Sequence, residues 1–253
     1  MDWHEDESFW DEFYPAMYHE GRWAVAEEEA SQISNLLGLS QGDSVLDICC
    51  GPGRHSLAFA RLGFKAVGVD RTSAYLDIGR ELAADEGLEV EFILEDAREY
   101  QGEVRYDAAV CLYTSIGYFE TPEEDRRLLE KACQSLKPGG RLLMDLSGKE
   151  VLARVFKEQN RTELADGTVF LEERTIEGDW ERVHNRWVLV QDEKRIERRF
   201  SVRIYSGSGL KAMMLESGFE SVNLYGTLDG RPYDFDARRL VAVGRRGPND
   251  LAE

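Results

Sequence analysis

The sequence predicts an α/β protein built on a doubly wound, mostly parallel seven-stranded sheet. Between residues 45 and 146 short apolar runs alternate with amphipathic segments of helical period, the signature of strands and helices laid down in turn. The first run, Val45, Leu46 and Ile48, meets a Gly-Pro-Gly turn and then an amphipathic segment, which is half of a βαβ unit. Asp47, Asp70 and Asp96 fall near the ends of successive strands, the edge at which such sheets bind ligands.

In chain order, the N-terminus is both acidic and aromatic. Phe9, Phe13 and Met17 repeat every four residues, as do Trp10, Tyr14 and Tyr18, giving two adjacent apolar stripes on helical segments. Proline disfavours helix at the residue before it and cannot donate an N–H, so a break at Tyr14–Pro15 and two short helices are expected. Residues 1–22 then form either a structural cap on the core or a lid over a site. Ala26, Ala30, Ile33 and Leu37 place a helix over 23–37. The core, 40–146, reads as strands 45–49, 66–70, 90–94, 108–112 and 141–146, with helices 54–62, 74–84 and 123–136 between them.

A helix over 151–157 leads into alternating, β-branched and aromatic stretches at 168–175, 182–190 and 195–205, read as a three-stranded antiparallel insert within 160–206. On its last strand Ile196, Phe200, Val202 and Ile204 share one face with an odd Arg198; Arg195, Glu197, Arg199, Ser201, Arg203 and Tyr205 share the other. That polar face either meets solvent through cross-strand ion pairs with Glu172, Glu173 and Arg186, or offers Arg199 or Arg203, with His184, to an acidic ligand. Residues 207–246 supply a last helix and a strand pair. All of this belongs to one domain, 1–253.

Lys plus Arg total 31 against 49 Asp plus Glu, a net charge of −18, which repels nucleic acid. Cys49, Cys50, Cys111 and Cys133 match no zinc spacing and no secreted disulfide framework, so they are expected as reduced thiols. No signal-like start and no membrane-length apolar run is present. A cytoplasmic protein with no membrane and no nucleic-acid partner is expected; a homodimer is left open.

The first loop carries the chemistry. Gly51 and Gly53 let backbone approach a ligand, and the helix beginning near Arg54 aims free N–H groups at it. A dinucleotide site would look similar, but Asp47 stands where a pyrophosphate would lie. Two like charges about 5 Å apart at an effective dielectric near 20 repel by roughly 3 kcal/mol. The same carboxylate attracts a cation, and S-adenosylmethionine carries an ammonium, a sulfonium and no phosphate. Asp70 sits at about the spacing at which an acidic residue grips a ribose diol.

Together Asp47, the Gly-Pro-Gly loop, Asp70, the segment around Asp96, YDAAVCLYTSIGYF and LKPGGRLLMDL resemble a class I, Rossmann-like S-adenosylmethionine-dependent methyltransferase of the small-molecule branch, with the motif-rich match over 44–146. The resemblance implies that an N-terminal helical lid closes the site and offers Arg22 to the methionine carboxylate, with plain solvation as the alternative for that side chain. It further implies that Asp96 and the Ala97 N–H meet adenine, and that Tyr18, Cys49, Arg71 and Leu112 complete the cofactor contacts. Asp96 is also a natural turn or capping residue. Amino- and DNA-directed relatives carry Asn or Asp with Pro-Pro-Tyr where Leu112, Tyr113, Thr114 and Ser115 stand here, which argues against a base amine as acceptor. Tyr14, Tyr118, His184, Arg199 and Arg203 are the acceptor-pocket candidates, and no metal is implied. Rival readings are a protein methyltransferase, a noncatalytic module binding S-adenosylmethionine or S-adenosylhomocysteine, and the disfavoured NAD oxidoreductase.

Overall fold

The computed structural model describes residues 2–102 and 106–248. A short 3-10 turn, Trp3–Glu5, leads into α1 (Glu7–Met17), α2 (Glu20–Ala24) and α3 (Ala26–Leu37). Strand and helix then alternate through β1 (Ser44–Ile48), α4 (Arg54–Arg61), β2 (Lys65–Asp70), α5 (Ser73–Glu86), β3 (Val90–Leu94), β4 (Tyr106–Cys111), α6 (Pro122–Ser135) and β5 (Leu136–Leu146). After α7 (Lys149–Val155) come β6 (Gln159–Glu163), β7 (Val169–Glu177), β8 (Arg182–Gln191) and β9 (Lys194–Arg203). The described chain closes with α8 (Gly207–Glu216), β10 (Phe219–Tyr225) and β11 (Leu240–Arg246).

Seven strands form one sheet in the order β10-β11-β5-β4-β1-β2-β3. Strands β1 to β5 pair in parallel, while β11 runs antiparallel to both β5 and β10. Its centre is covered on both sides, which is why its strands read as apolar runs and not as alternation. Leu46, Ile48, Leu142 and Met144 pack with Leu128 and Leu129 of α6 and Leu210 and Met214 of α8. Val45, Val110 and Leu143 turn the other way, onto Ala30 and Ile33 of α3 and Ala58 and Phe59 of α4. Helix α6 starts where Thr121 and Glu124 form a capping box with Pro122 as its first residue.

The insert has four strands, in the order β6-β7-β8-β9, where the sequence suggests three. Strand β6 is exposed at every position and its side chains carry no apolar alternation; backbone pairing with β7 alone defines it. Helix α1 runs unbroken through Pro15, contrary to the expected break. Proline in a helix interior costs about 3 kcal/mol, but here it stands in the last turn, and burial of Phe9 and Phe13 returns roughly 1.5–3 kcal/mol each. The expected helix over 23–37 is instead divided at Val25. The Arg22 carbonyl, which would accept from the next turn of a continuous helix, accepts from the Arg54 guanidinium at 2.6 Å.

Phe9 and Phe13 pack on the inner face of the insert with Phe170 and Leu189, flanked by Trp187, Ile196 and Phe200. The odd Arg198 on that face reaches Glu12 of α1 at 2.7 Å. The end of β9 is clamped to the loop after β4, where the Arg203 N–H donates to the Gly117 carbonyl at 2.7 Å. Helix α1 and the insert are thereby held over the C-terminal edge of the main sheet.

Candidate functional site

A cavity of about 420 Å³ lies at that edge. Its floor comes from residues at or just past the ends of β1 to β4: Asp47, Cys49, Asp70, Asp96, Ala97 and Leu112. Tyr18, Arg22 and Arg71 also line it. Gly51 and Gly53 shape the loop behind: their φ angles of 57° and 76° lie in the left-handed region that favours glycine. A Cβ on Gly51 would stand 2.3 Å from the Tyr18 hydroxyl, and one on Gly53 would stand 2.5 Å from the Phe92 ring. The space glycine leaves here is filled by the N-terminal segment and by β3.

Two carboxylates stand together in this floor, Asp47 buried and Asp70 half-buried. Asp47 accepts from the Ser56 hydroxyl at 2.7 Å, and burial, reinforced by the charge of Asp70, pushes its pKa up to about 7. Asp70 accepts the Gly51 N–H at 2.8 Å and the Thr72 N–H at 2.9 Å, and burial raises its pKa despite those bonds. A pair of carboxyls held this way favours a cationic ligand. Asp96 differs: burial alone would raise it, but hydrogen bonds from Arg98 hold it below the usual range. It accepts the Arg98 backbone N–H as well, so it serves as a turn residue while lining the cavity. The Arg22 guanidinium lies over the Tyr113 ring at 4.7 Å, and no carboxylate pairs with it among the described residues.

Beside the floor is a charge network that the sequence did not disclose. Glu29 of α3 takes bonds from Arg54, His55, the Tyr113 hydroxyl and Arg239 at 3.4, 3.0, 2.7 and 2.7 Å. Burial opposes its charge, but these partners pull its pKa down to about 2. His55, lowered by burial to about 4, is neutral and acts as a hydrogen-bond donor to Glu29. Arg239 also reaches Asp145 at 2.8 Å. The network grips Tyr113 and Thr114, whose φ angles of 58° and 64° are costly for residues with a Cβ. A signal existed: Glu29 falls on the apolar stripe of Ala26, Ala30 and Ile33, where a solvated charge does not belong.

Of the acceptor candidates, Tyr118 lines the cavity, and the others stand off it. Tyr14 packs on Tyr18 and Tyr75 at 5.2 and 5.5 Å. His184 bonds Glu177 on the insert's outer face, and Arg199 pairs with Glu197 at 3.1 Å. Arg186 bridges Glu173 and Glu197 there, so this face carries the cross-strand ion pairs. Arg203 is committed to buried Asp125 at 2.7 Å and anchors the loop after β4. Their places are taken by inward residues that sequence reading passed over, among them His4, Trp10, Tyr75, Arg174, Asn185 and Trp187.

Residues 45–140, from β1 into the start of β5, match the family model described as a methyltransferase domain. Over this segment the chain is similar to methyltransferase domains. Solved structures match over most of the chain. The CcbJ methyltransferase of Streptomyces caelestis superposes with a TM-score of 0.76 over 88% of this chain and 90% of that one, at 22% identity. CalS10, an amino pentose methyltransferase from Micromonospora echinaspora solved with S-adenosylmethionine bound, gives 0.69 over 94% and 96%, at 19% identity. The chain is also similar to a ubiquinone biosynthesis O-methyltransferase of Shewanella pealeana, 28% identical over 45% of this chain and 48% of that protein. The chain spans about half the length of the curated relatives it matches.

Proposed function

We propose that the protein transfers a methyl group from S-adenosylmethionine to the oxygen or nitrogen of a small-molecule acceptor. The observation that carries this reading is the placement of buried Asp47 beside half-buried Asp70 in a cavity whose other wall holds Arg22, which no carboxylate pairs among the described residues. The donor set fits: the ammonium answers Asp47, the carboxylate answers Arg22, the ribose diol answers Asp70, and adenine answers Asp96 and Ala97. Cys49, Arg71, Leu112 and Tyr18 line the surrounding wall, with Gly51 and Gly53 in the loop behind it. When bound, S-adenosylmethionine supplies a methyl group activated by its sulfonium.

The chain's own contribution is alignment and exclusion of water. Asp47 and Asp70 fix the donor from below, while Trp10 and Tyr18 from the N-terminal segment line the same cavity from above. Tyr75 ties that segment down by donating its hydroxyl to the Trp10 carbonyl at 2.6 Å. Cys49, Cys50 and Cys111 are free thiols, which suits the cytoplasm. No helix among the described residues is long and apolar enough to cross a membrane. The test is incubation with methyl-labelled donor and, separately, a metabolite pool and a proteome. Label in metabolites alone supports the proposal. Label in protein indicates a protein methyltransferase, and tight S-adenosylhomocysteine binding with no label anywhere indicates a noncatalytic module.

A further inference from the structure

Beyond the donor floor the cavity is walled by rings, chiefly Trp3, Trp10, Tyr118, Phe119, Trp187 and Phe200. Among them sits His4, 3% exposed, with no hydrogen-bond partner at either ring nitrogen among the described residues. The indole N–H groups of Trp3 and Trp187 are likewise buried and unpartnered. Buried polar groups are nearly always satisfied, so three orphans on one cavity point to a ligand that completes them. Their chemistry limits that ligand. An indole N–H only donates, whereas a neutral imidazole offers one donor and one acceptor nitrogen. The ligand therefore offers oxygen to the indoles and a proton to the imidazole, and a planar apolar body suits the rings.

The surroundings of His4 keep it able to accept. Burial, then Arg71 beyond β2 and Arg98 beyond β3, lower its pKa; Asp2 and Glu5 of its own segment raise it less. Tyr118 and Phe119, after β4, meet it through their rings. The imidazole is neutral at neutral pH. Asp2, His4 and Glu5 lie close enough to suggest a cation site, but Glu5 already faces Arg71 at 3.8 Å and Arg98 at 3.6 Å. Those guanidiniums disfavour a metal ion there, and equally the ammonium that a methylated amine becomes.

Resting on the methyl-transfer reading above, we propose that His4 is a catalytic residue, the base that takes the proton from the hydroxyl of a planar hydroxy-aromatic acceptor. The acceptor oxygen forms its bond to the methyl carbon as that carbon's bond to sulfur breaks, the electron pair staying on sulfur. The oxygen's proton passes to the lone pair of His4, which returns it to water when the site opens. A hydroxyl needs such a base where a neutral amine does not.

The test uses full-length protein saturated with S-adenosylhomocysteine and 2-naphthol as probe, followed by calorimetry and by NMR of the four histidine imidazoles. Wild type should bind 2-naphthol with a shift of one imidazole, the one missing from His4→Phe and His4→Gln. Affinity should fall by about tenfold or more in His4→Phe and recover in part in His4→Gln, with S-adenosylhomocysteine binding unchanged. With S-adenosylmethionine in its place, kcat should fall by about a hundredfold and lose its acidic limb. If His4→Phe does not fold, His4→Gln carries the comparison. The proposal is overturned if wild type ignores 2-naphthol, prefers 2-naphthylamine, binds with all imidazoles undisturbed, or if the variants bind equally well. Failure of wild type to bind S-adenosylhomocysteine would instead remove the donor reading on which this one rests.

Discussion

Asp47 and Glu29 are buried carboxyls within one site, and their environments push them in opposite directions. Asp47 is raised from 3.8 to about 7. Its proton is held more tightly in the folded chain, so its ionisation opposes folding, with a penalty that grows from about pH 4 to about pH 7 and is constant above. Asp47→Asn should therefore raise the thermal midpoint by several degrees at about pH 8 and change it little at about pH 4. The same substitution should weaken S-adenosylmethionine binding by about tenfold or more. A scanning-fluorimetry series across pH checks the first, and titration the second. Glu29 is lowered from 4.5 to about 2, so it stabilises the fold above about pH 4.5 and the benefit is lost as pH falls toward 2. Glu29→Gln leaves Arg54 and Arg239 without this partner, and urea unfolding near neutral pH should show a loss of about 3–5 kcal/mol, shrinking in acid. Asp47 was legible because its place beside a glycine loop is unusual. Glu29 was not, because its partners Tyr113 and Arg239 lie 84 and 210 residues away.

At the scale of elements, α1 is the piece whose role the sequence left divided between cap and lid. Its side chains face two ways. Phe9 and Phe13 are buried against the insert, while Trp10, Met17 and Tyr18 line the cavity. Deleting it would strip the insert's aromatic face, so removal cannot separate the two roles. Hydrogen exchange can: peptides covering residues 3–22 should exchange more slowly when S-adenosylhomocysteine is bound, because the ligand adds contacts that the open segment lacks. Unchanged exchange there, with protection confined to the β1–α4 loop, would make α1 a cap only. The helical stripes were readable from four-residue spacing. The unbroken course through Pro15 was not, since it depends on packing against strands more than 150 residues later in the chain. Strand β6 was invisible for the complementary reason, having no buried side chain to leave a pattern.

For the molecule as a whole, the alternation of strand and helix was enough to foresee the parallel sheet, because both sheet faces are covered by helices placed locally in sequence, while its reversed strand near the end followed from the family resemblance. What the insert does was harder to foresee. Its polar outer face drew attention to His184 and Arg199, whereas its inner face, with Asn185, Trp187 and Phe200, completes the cavity. That cavity is the centre of the account: a floor of carboxyls built for a cation without phosphate. Calorimetric titration with S-adenosylmethionine at about pH 6, repeated in buffers of different ionisation enthalpy, tests it directly. Asp47 is mostly protonated there in the free protein, and an ammonium beside it should drive its proton off, so binding should release about one proton. Wild type should show saturable binding with that release, the release should disappear in Asp47→Asn, and NADH should give no heat. Saturable binding of NADH, or S-adenosylmethionine binding with no proton released, would contradict it.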